Sequence, residues 1–252
     1  MDIRLIPGVM RRHSWLNGAR LMEIWFSRSP SSFPARGTPE SSTIRMDSWA
    51  LTFSRCSQVY RQMVSGRVWC SEEAQRHIGR WLREQGLLTS QRTSFGNLNR
   101  PVPQMDRDAI CQESVGGLLD PLDDLYAALG RFTLRVVVAG SVVAAQVPLP
   151  SMTRRPRPST TVPQHTVQIE QVGFYIFDSY DFNGDQPLGF WNTSGVSRLP
   201  AISYDYVSNE SFRTWRAQHG GGGDFLVYSD LKIIRRTPPD SFVLPITASV
   251  PV

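Results

Sequence analysis

A chain of 252 residues suits one large domain or two small ones, and its 40% apolar content allows a substantial core. The net charge of +5 is arginine-based, since Lys232 is the only lysine; the cations are dispersed except at Arg154, Arg155 and Arg157, which argues against a nucleic-acid-binding face. Three cysteines, Cys56, Cys70 and Cys111, lack C-x-x-C spacing, so they read as small buried hydrophobes and argue against a disulfide framework or a structural zinc site.

The first residues, Met1-Asp2-Ile3-Arg4-Leu5, have no cationic start followed by an apolar run, so no signal peptide is expected. No stretch approaches the ~18 apolar residues of a membrane span. The expectation is a protein made and folded in the cytoplasm, with action outside the cell requiring a dedicated export system.

Helical periodicity dominates the first half. Trp15, Ala19, Met22 and Phe26 lie on one helical face, and Trp49, Phe53, Cys56, Tyr60 and Met63 on another. Between them, Ser27 to Thr43 reads as loop. A third helix begins at the N-cap Ser71, buries Ala74, Ile78 and Trp81, and ends at Gly86. Its Arg76, Arg80 and Arg83 read as a solvated face, with pairs such as Glu72–Arg76 and Arg80–Glu84. Thr89 to Ser114 shows no period and reads as loop. Asp120 then suits an N-cap, Pro121 the first helical position, and Asp123 and Asp124 the first turn of a helix closed by Gly130.

After Gly130 the period changes to two. Phe132, Leu134, Val136 and Val138 alternate as on a half-buried strand, and Gly140-Ser141 predicts a turn into a second strand through Val147. Pro148 to Pro163 reads as a mobile loop or boundary. A long strand follows, with a parity slip between Ile169 and Val172 that predicts a bulge near Gln171, and it ends at Asp178.

The chemistry-bearing stretch is Asp178 to Asp185: three carboxylates within eight residues, with Tyr180 and Asn183 between them and Gly184 for a tight turn. Three readings compete. Asp181, Asn183 and Asp185 match the first ligand positions of an EF-hand loop, but Gln186 replaces the turn glycine and Asn192 the bidentate glutamate. Asp, Asn and Gly after a strand also simply make turns. Closely spaced carboxylates, finally, can hold a divalent cation or act as acid and base on a phosphate ester. A second cluster lies downstream: Asn209 as N-cap of a helix carrying Arg216 and His219, the glycines Gly220 to Gly223, and a strand from Asp224 to Asp230. Arg216 and His219 could supply a phosphate clamp and a base, and the glycines a backbone cradle; a plain helix C-cap explains them as well.

Asp178-Ser179-Tyr180-Asp181 resembles the D-x-Y-D motif of colicin M-type bacteriocins, which cleave the undecaprenyl–pyrophosphoryl link in lipid II with essential aspartates. That family's motif continues to a His-Arg pair, where this chain has Pro187-Leu188-Gly189. More widely, Ile6-Pro7-Gly8-Val9-Met10, Leu21 to Phe26, Asp123 to Gly130, Val172 to Asp178 and Gly222 to Phe225, in this order, resemble an uncharacterised proteobacterial family often encoded near type VI secretion spike and effector genes. The resemblance spans most of the chain and implies a bacterial source and a part in interbacterial competition.

The expected fold is α+β: a mainly helical region over residues 1–130 packed on a twisted, mostly antiparallel sheet in residues 131–252, together one compact unit. The leading expectation is an antibacterial effector toxin, exported by a type VI apparatus, that hydrolyses a phosphate-linked peptidoglycan precursor such as lipid II. Asp178, Tyr180, Asp181 and His219 are its candidate catalytic residues, and Asn183, Arg216 and Trp191 its candidate substrate contacts. Asp178, Asp181 and Asp185 are candidate ligands for Mg or Ca. A secretion spike protein and an immunity protein are the expected partners. The alternatives are an accessory or adaptor protein docking through exposed Phe190 and Trp191, and a nuclease toxin.

Overall fold

A computed structural model describes residues 1–117, 119–148 and 161–245. Most of the loop expected from Pro148 to Pro163, with Arg154, Arg155 and Arg157, lies outside the described residues.

In chain order the elements are α1 (Ile6–Arg12), α2 (Leu16–Ser27), β1 (Glu40–Ile44), α3 (Ser54–Ser65), α4 (Glu72–Glu84), β2 (Thr93–Phe95), α5 (Val102–Met105) and β3 (Cys111–Val115). They continue with α6 (Asp124–Leu129), β4 (Phe132–Pro148), β5 (Thr161–Tyr180), β6 (Pro187–Trp191), β7 (Val196–Ser197), β8 (Asp205–Ser208), α7 (Asn209–His219), β9 (Phe225–Ser229) and β10 (Lys232–Val243). The class is α+β, with strands that pair mostly antiparallel. Thr89 to Ser114 holds β2, α5 and most of β3 rather than loop alone; these elements are too short to leave a period in sequence.

Two compact units form, each from three separated stretches: Met1–Gln62, Glu113–Leu134 and Tyr175–Leu231 in one, and Met63–Gln112, Arg135–Phe174 and Lys232–Val252 in the other. Compactness thus cuts across the division at residue 130, because β4 and β5 each supply residues to both units.

In the first unit, β9 pairs parallel with β1 and antiparallel with the end of β5, Phe177 facing Tyr228 and Tyr180 facing Phe225. A small antiparallel sheet, β7-β6-β8, completes the strands. Helix α2 buries Gly18, Ala19, Leu21, Met22 and Trp25. Trp25, not the expected Phe26, anchors this face: it is fully buried and meets Phe182 and Phe212 edge-on at 4.9 and 5.4 Å. Helix α6 begins three residues later than expected, with Asp123 as its N-cap accepting from the Tyr126 N–H. The other two aspartates serve neighbours. Asp120 and Asp123 pair with Arg55. Asp124 accepts from the backbone N–H groups of Asn17 and Gly18 and from the Trp49 indole, so it caps α2 from a different helix. Gly18 lies so close to Ala127 that a Cβ there would stand 2.8 Å from the alanine's own.

In the second unit the strand order is β10-β5-β4-β2. Gly140 makes no turn: β4 runs through it without interruption, and a Cβ at that position would overlap the Gln168 carbonyl of β5. The glycine serves close strand approach instead. The parity slip in β5 is real in burial, but the extra residues sit on its partner: Arg235 and Asp240 of β10 face Gln171 and Ile169. Helix α4 starts and stops as the sequence indicates, with Ser71 accepting from the Ala74 N–H and Gly86 in the left-handed region. Its Arg76 donates to the Glu72 carbonyl rather than to the Glu72 carboxylate. Buried Asp240 collects the Trp69 indole, Arg67 and Arg236.

Candidate functional site

Strand β5 carries Asp178, Ser179 and Tyr180 to its end and stops there. Alternation along a strand would send Asp178 and Asp181 to opposite faces. The chain instead turns after Tyr180: Asp181 accepts from the Ser179 hydroxyl at 2.7 Å and from the Asn183 N–H at 3.1 Å. This Asx turn brings Asp181 back beside Asp178, and both line one cleft of about 250 Å³ in the first unit.

Beside β5, helices and strands from several parts of the unit supply the walls of the cleft. Ile6 and Met10 arrive on α1, Met22 on α2, Tyr126 and Leu129 on α6, Leu188 and Trp191 on β6, Val207 on β8, and Asn209 and Phe212 on α7. Most of this surface is aliphatic or aromatic, and the polar groups gather at Asp178 to Asn183. Arg131 is the one cation among the described lining residues.

Burial pushes the Asp178 carboxyl well above the usual carboxylate range; the Ser179 N–H opposes this and the Asp181 charge adds to it. A carboxyl in such a setting keeps its proton to higher pH than a free aspartate does. Burial and then the Asp178 charge push the Tyr180 hydroxyl upward as well, so Tyr180 remains a phenol. Its ring stacks on Phe225 at 5.2 Å and is a wall of the site, not a base.

Helix α7 holds the turn that follows. Asn209 donates its side-chain N–H to the Asn183 carbonyl at 2.6 Å and its backbone N–H to the Gln186 carbonyl at 3.0 Å. Four residues along the same helix face, Arg213 donates to the carbonyls of Phe182 and Gly184 and pairs with Asp185 at 3.2 Å. Sequence reasoning passed over Asn209 and Arg213 in this role because backbone carbonyls are their main partners, and these leave no residue-type signature. Nothing in the sequence marks Tyr126 or Arg131 for the cleft: Tyr126 reads as one residue of an apolar helix face, and Arg131 follows the glycine that closes it.

Several expected site residues lie elsewhere. His219 is exposed, stacked on Trp215 at 4.8 Å, with Nδ1 3.0 Å from the Trp215 carbonyl, and it does not line the cleft. Arg216 is committed to buried Asp224, which also accepts the Trp25 indole N–H at 2.8 Å. The glycine run is no phosphate cradle. The N–H groups of Gly222, Gly223 and Asp224 are taken by the carbonyls of Arg28, Trp25 and Ser31, and a Cβ on Gly222 would overlap the Trp25 ring. The helix instead ends at Gly220 in the left-handed region, the ordinary cap, and its N-cap is Ser208 rather than Asn209.

Asp185 is 96% exposed and does not line the cleft, so it stands apart from the Asp178–Asp181 pair. Among the described residues, no three or more His, Cys, Asp or Glu side chains are grouped to hold a metal ion. Asn183 lines the cleft. Trp191 also lines it, but is only 5% exposed and donates its indole N–H to the Leu188 carbonyl at 2.9 Å. It is therefore no docking surface, and its neighbour Phe190 is half-buried against Tyr206.

Among the described residues, no helix is long and apolar enough to cross a membrane. A sequence family described as a family of unknown function matches residues 1–205 and 199–244. No curated protein and no solved structure matches the chain.

Proposed function

We propose, for a chain that belongs to the family of unknown function DUF6402, that the cleft is the hydrolytic site of an antibacterial effector, exported by a type VI apparatus, that cleaves a phosphate-linked cell-envelope precursor. One observation carries this reading: two carboxyl groups share the cleft in unlike settings. Asp178 is driven toward its neutral form by burial, whereas Asp181 accepts two hydrogen bonds, which suit a carboxylate. Such a division assigns general acid to the first and general base to the second.

In the proposed step, water attacks phosphorus and gives a proton to Asp181, while the departing oxygen takes the proton of Asp178. The bond from phosphorus to the leaving oxygen breaks as the bond to water's oxygen forms, and solvent restores both carboxyls. Arg131 supplies the positive charge that a phosphate needs. Arg131 thereby takes the part expected of Arg216, and the aliphatic walls suit a substrate with a hydrocarbon portion. The resemblance of Asp178 to Asp181 to the D-x-Y-D motif points the same way. No described residue of the cleft replaces that motif's histidine.

Expression in bacteria with and without a periplasmic signal, as wild type, Asp178→Asn and Asp181→Asn, tests the proposal. Growth arrest is expected only in the periplasm, and each substitution should abolish it. Arrest in neither compartment, or arrest unchanged by both substitutions, would overturn it. Arrest confined to the cytoplasm would point to a nuclease.

A further inference from the structure

The three most exposed large aliphatic side chains among the described residues all belong to the first unit: Leu119, 89% exposed, Leu199, 74%, and Ile202, 95%. Single exposed apolar residues are ordinary. These are tied to one place. Arg198 donates to the Asp120 carbonyl and sets its guanidinium 5.2 Å from the Tyr126 ring, a wall of the cleft. Leu119 and Leu199 each lie one residue from that junction, and Ile202 follows within the turn closed by the Tyr204 N–H on the Ala201 carbonyl. Through Arg198 and Tyr126, Leu119 and Leu199 stand next to a residue of the cleft wall, and Ile202 follows three residues after Leu199.

Two arginines add charge at this edge. Arg131 and Arg198 are exposed and, among the described residues, pair with no carboxylate. The acidic groups nearby are partly offset: Arg55 pairs with both Asp120 and Asp123, and the Met1 amino group pairs with Asp205. Exposed aliphatic side chains beside arginines that pair with no carboxylate fit the boundary between headgroups and acyl chains of an anionic bilayer. A soluble substrate would need no such collar.

We infer that the mouth of the cleft is a lipid-contact surface. Leu119, Leu199 and Ile202 insert at the level of the upper acyl chains, Arg131 and Arg198 meet lipid phosphates, and the cleft receives its substrate's hydrocarbon portion from that leaflet without passage through water. The last clause rests on reading the cleft as a substrate site; membrane contact itself does not.

Co-sedimentation with vesicles of phosphatidylethanolamine and phosphatidylglycerol, against vesicles of phosphatidylcholine alone, tests the surface. The full chain should pellet with the anionic vesicles. The double variant Leu199→Glu, Ile202→Glu, folded by circular dichroism because both positions are exposed, should pellet about tenfold less, since each insertion loses apolar burial and adds repulsion. Asp178→Asn should pellet as wild type does. Absence of pelleting, or equal pelleting by the double variant, would overturn the inference. A wild-type chain that does not pellet but dimerises through these residues in light scattering would overturn it too, assigning the patch to a second copy. Pelleting by wild type with growth arrest unaffected by Asp178→Asn would sink the catalytic reading alone. Asp178-dependent arrest without pelleting would sink only the lipid surface.

Discussion

Trp25 donates its indole N–H to Asp224 at 2.8 Å across 199 residues of chain, and Arg216 completes the buried group. Asp224 is 1% exposed, and burial raises its carboxyl despite the opposing Trp25 bond and Arg216 charge. Removing one member of a buried ion pair leaves the other uncompensated. Asp224→Ala should therefore lower unfolding free energy by about 3–5 kcal/mol in urea titration. The double variant Asp224→Leu, Arg216→Met should recover much of that loss. A cost below about 1 kcal/mol for the single change would show that the pair contributes little.

Asp178→Asn separates function from stability. The folded pKa of Asp178 is raised, so its contribution to stability is full below the unfolded value of about 4 and is lost as pH rises through the folded value. The neutral asparagine avoids that loss. The variant should melt higher than wild type at pH ~8 and no higher at pH ~4, while losing the toxicity proposed above. A lower melting temperature at the higher pH would contradict the burial of a reluctant charge.

Arg213→Ala removes the donors that fasten Phe182 and Gly184, and Asn209→Ala the side-chain donor to Asn183. Each should cost about 1 kcal/mol, as the part-buried carbonyl of Phe182 or Asn183 loses its partner. Each should also reduce toxicity further than its stability loss explains, because the turn that carries Asp181 is released. Arg213→Lys should restore little, since an ammonium cannot span two carbonyls as a guanidinium fork does. Toxicity that simply follows the fraction folded would deny these residues any positioning part.

Acid should weaken the second unit through Asp240. Burial tends to raise this carboxyl, but the Trp69 and Arg236 hydrogen bonds and the charges of Arg236 and Arg67 outweigh it and hold it low. A depressed folded pKa gives stability that is present above the unfolded value of about 4 and lost as pH falls toward the folded one. Asp240→Asn should flatten that acid limb in thermal melts between pH ~5 and ~2. An unchanged limb would place the acid sensitivity elsewhere.

Local order was legible in the sequence because its causes lie within a few residues. Ser71 and Gly86 bound α4, Gly220 ends α7, and the period of two after Gly130 gives β4, each from capping or pleating alone. The same locality misled where a residue type has two uses. Gly140 and Gly222 looked like a turn and a cradle, yet each admits a neighbour brought near from a distant stretch: the Gln168 carbonyl in one case and the Trp25 ring in the other. The start of α6 slipped because Asp120 and Asp123 are both competent caps, and the contacts of Arg55 do not show in the sequence.

For the candidate site, the sequence by itself determined that carboxyls would cluster at Asp178 and Asp181, since their spacing is covalent. Only the tertiary structure decided that both face one cleft, that α1, α2 and α6 give it aliphatic walls, and that Arg216 and His219 are spent elsewhere. The reason is physical. A side chain's charge and shape are written in its own residue, but its partner and its dielectric surroundings are set by whichever segments pack against it, and here those segments stand as far as 199 residues apart.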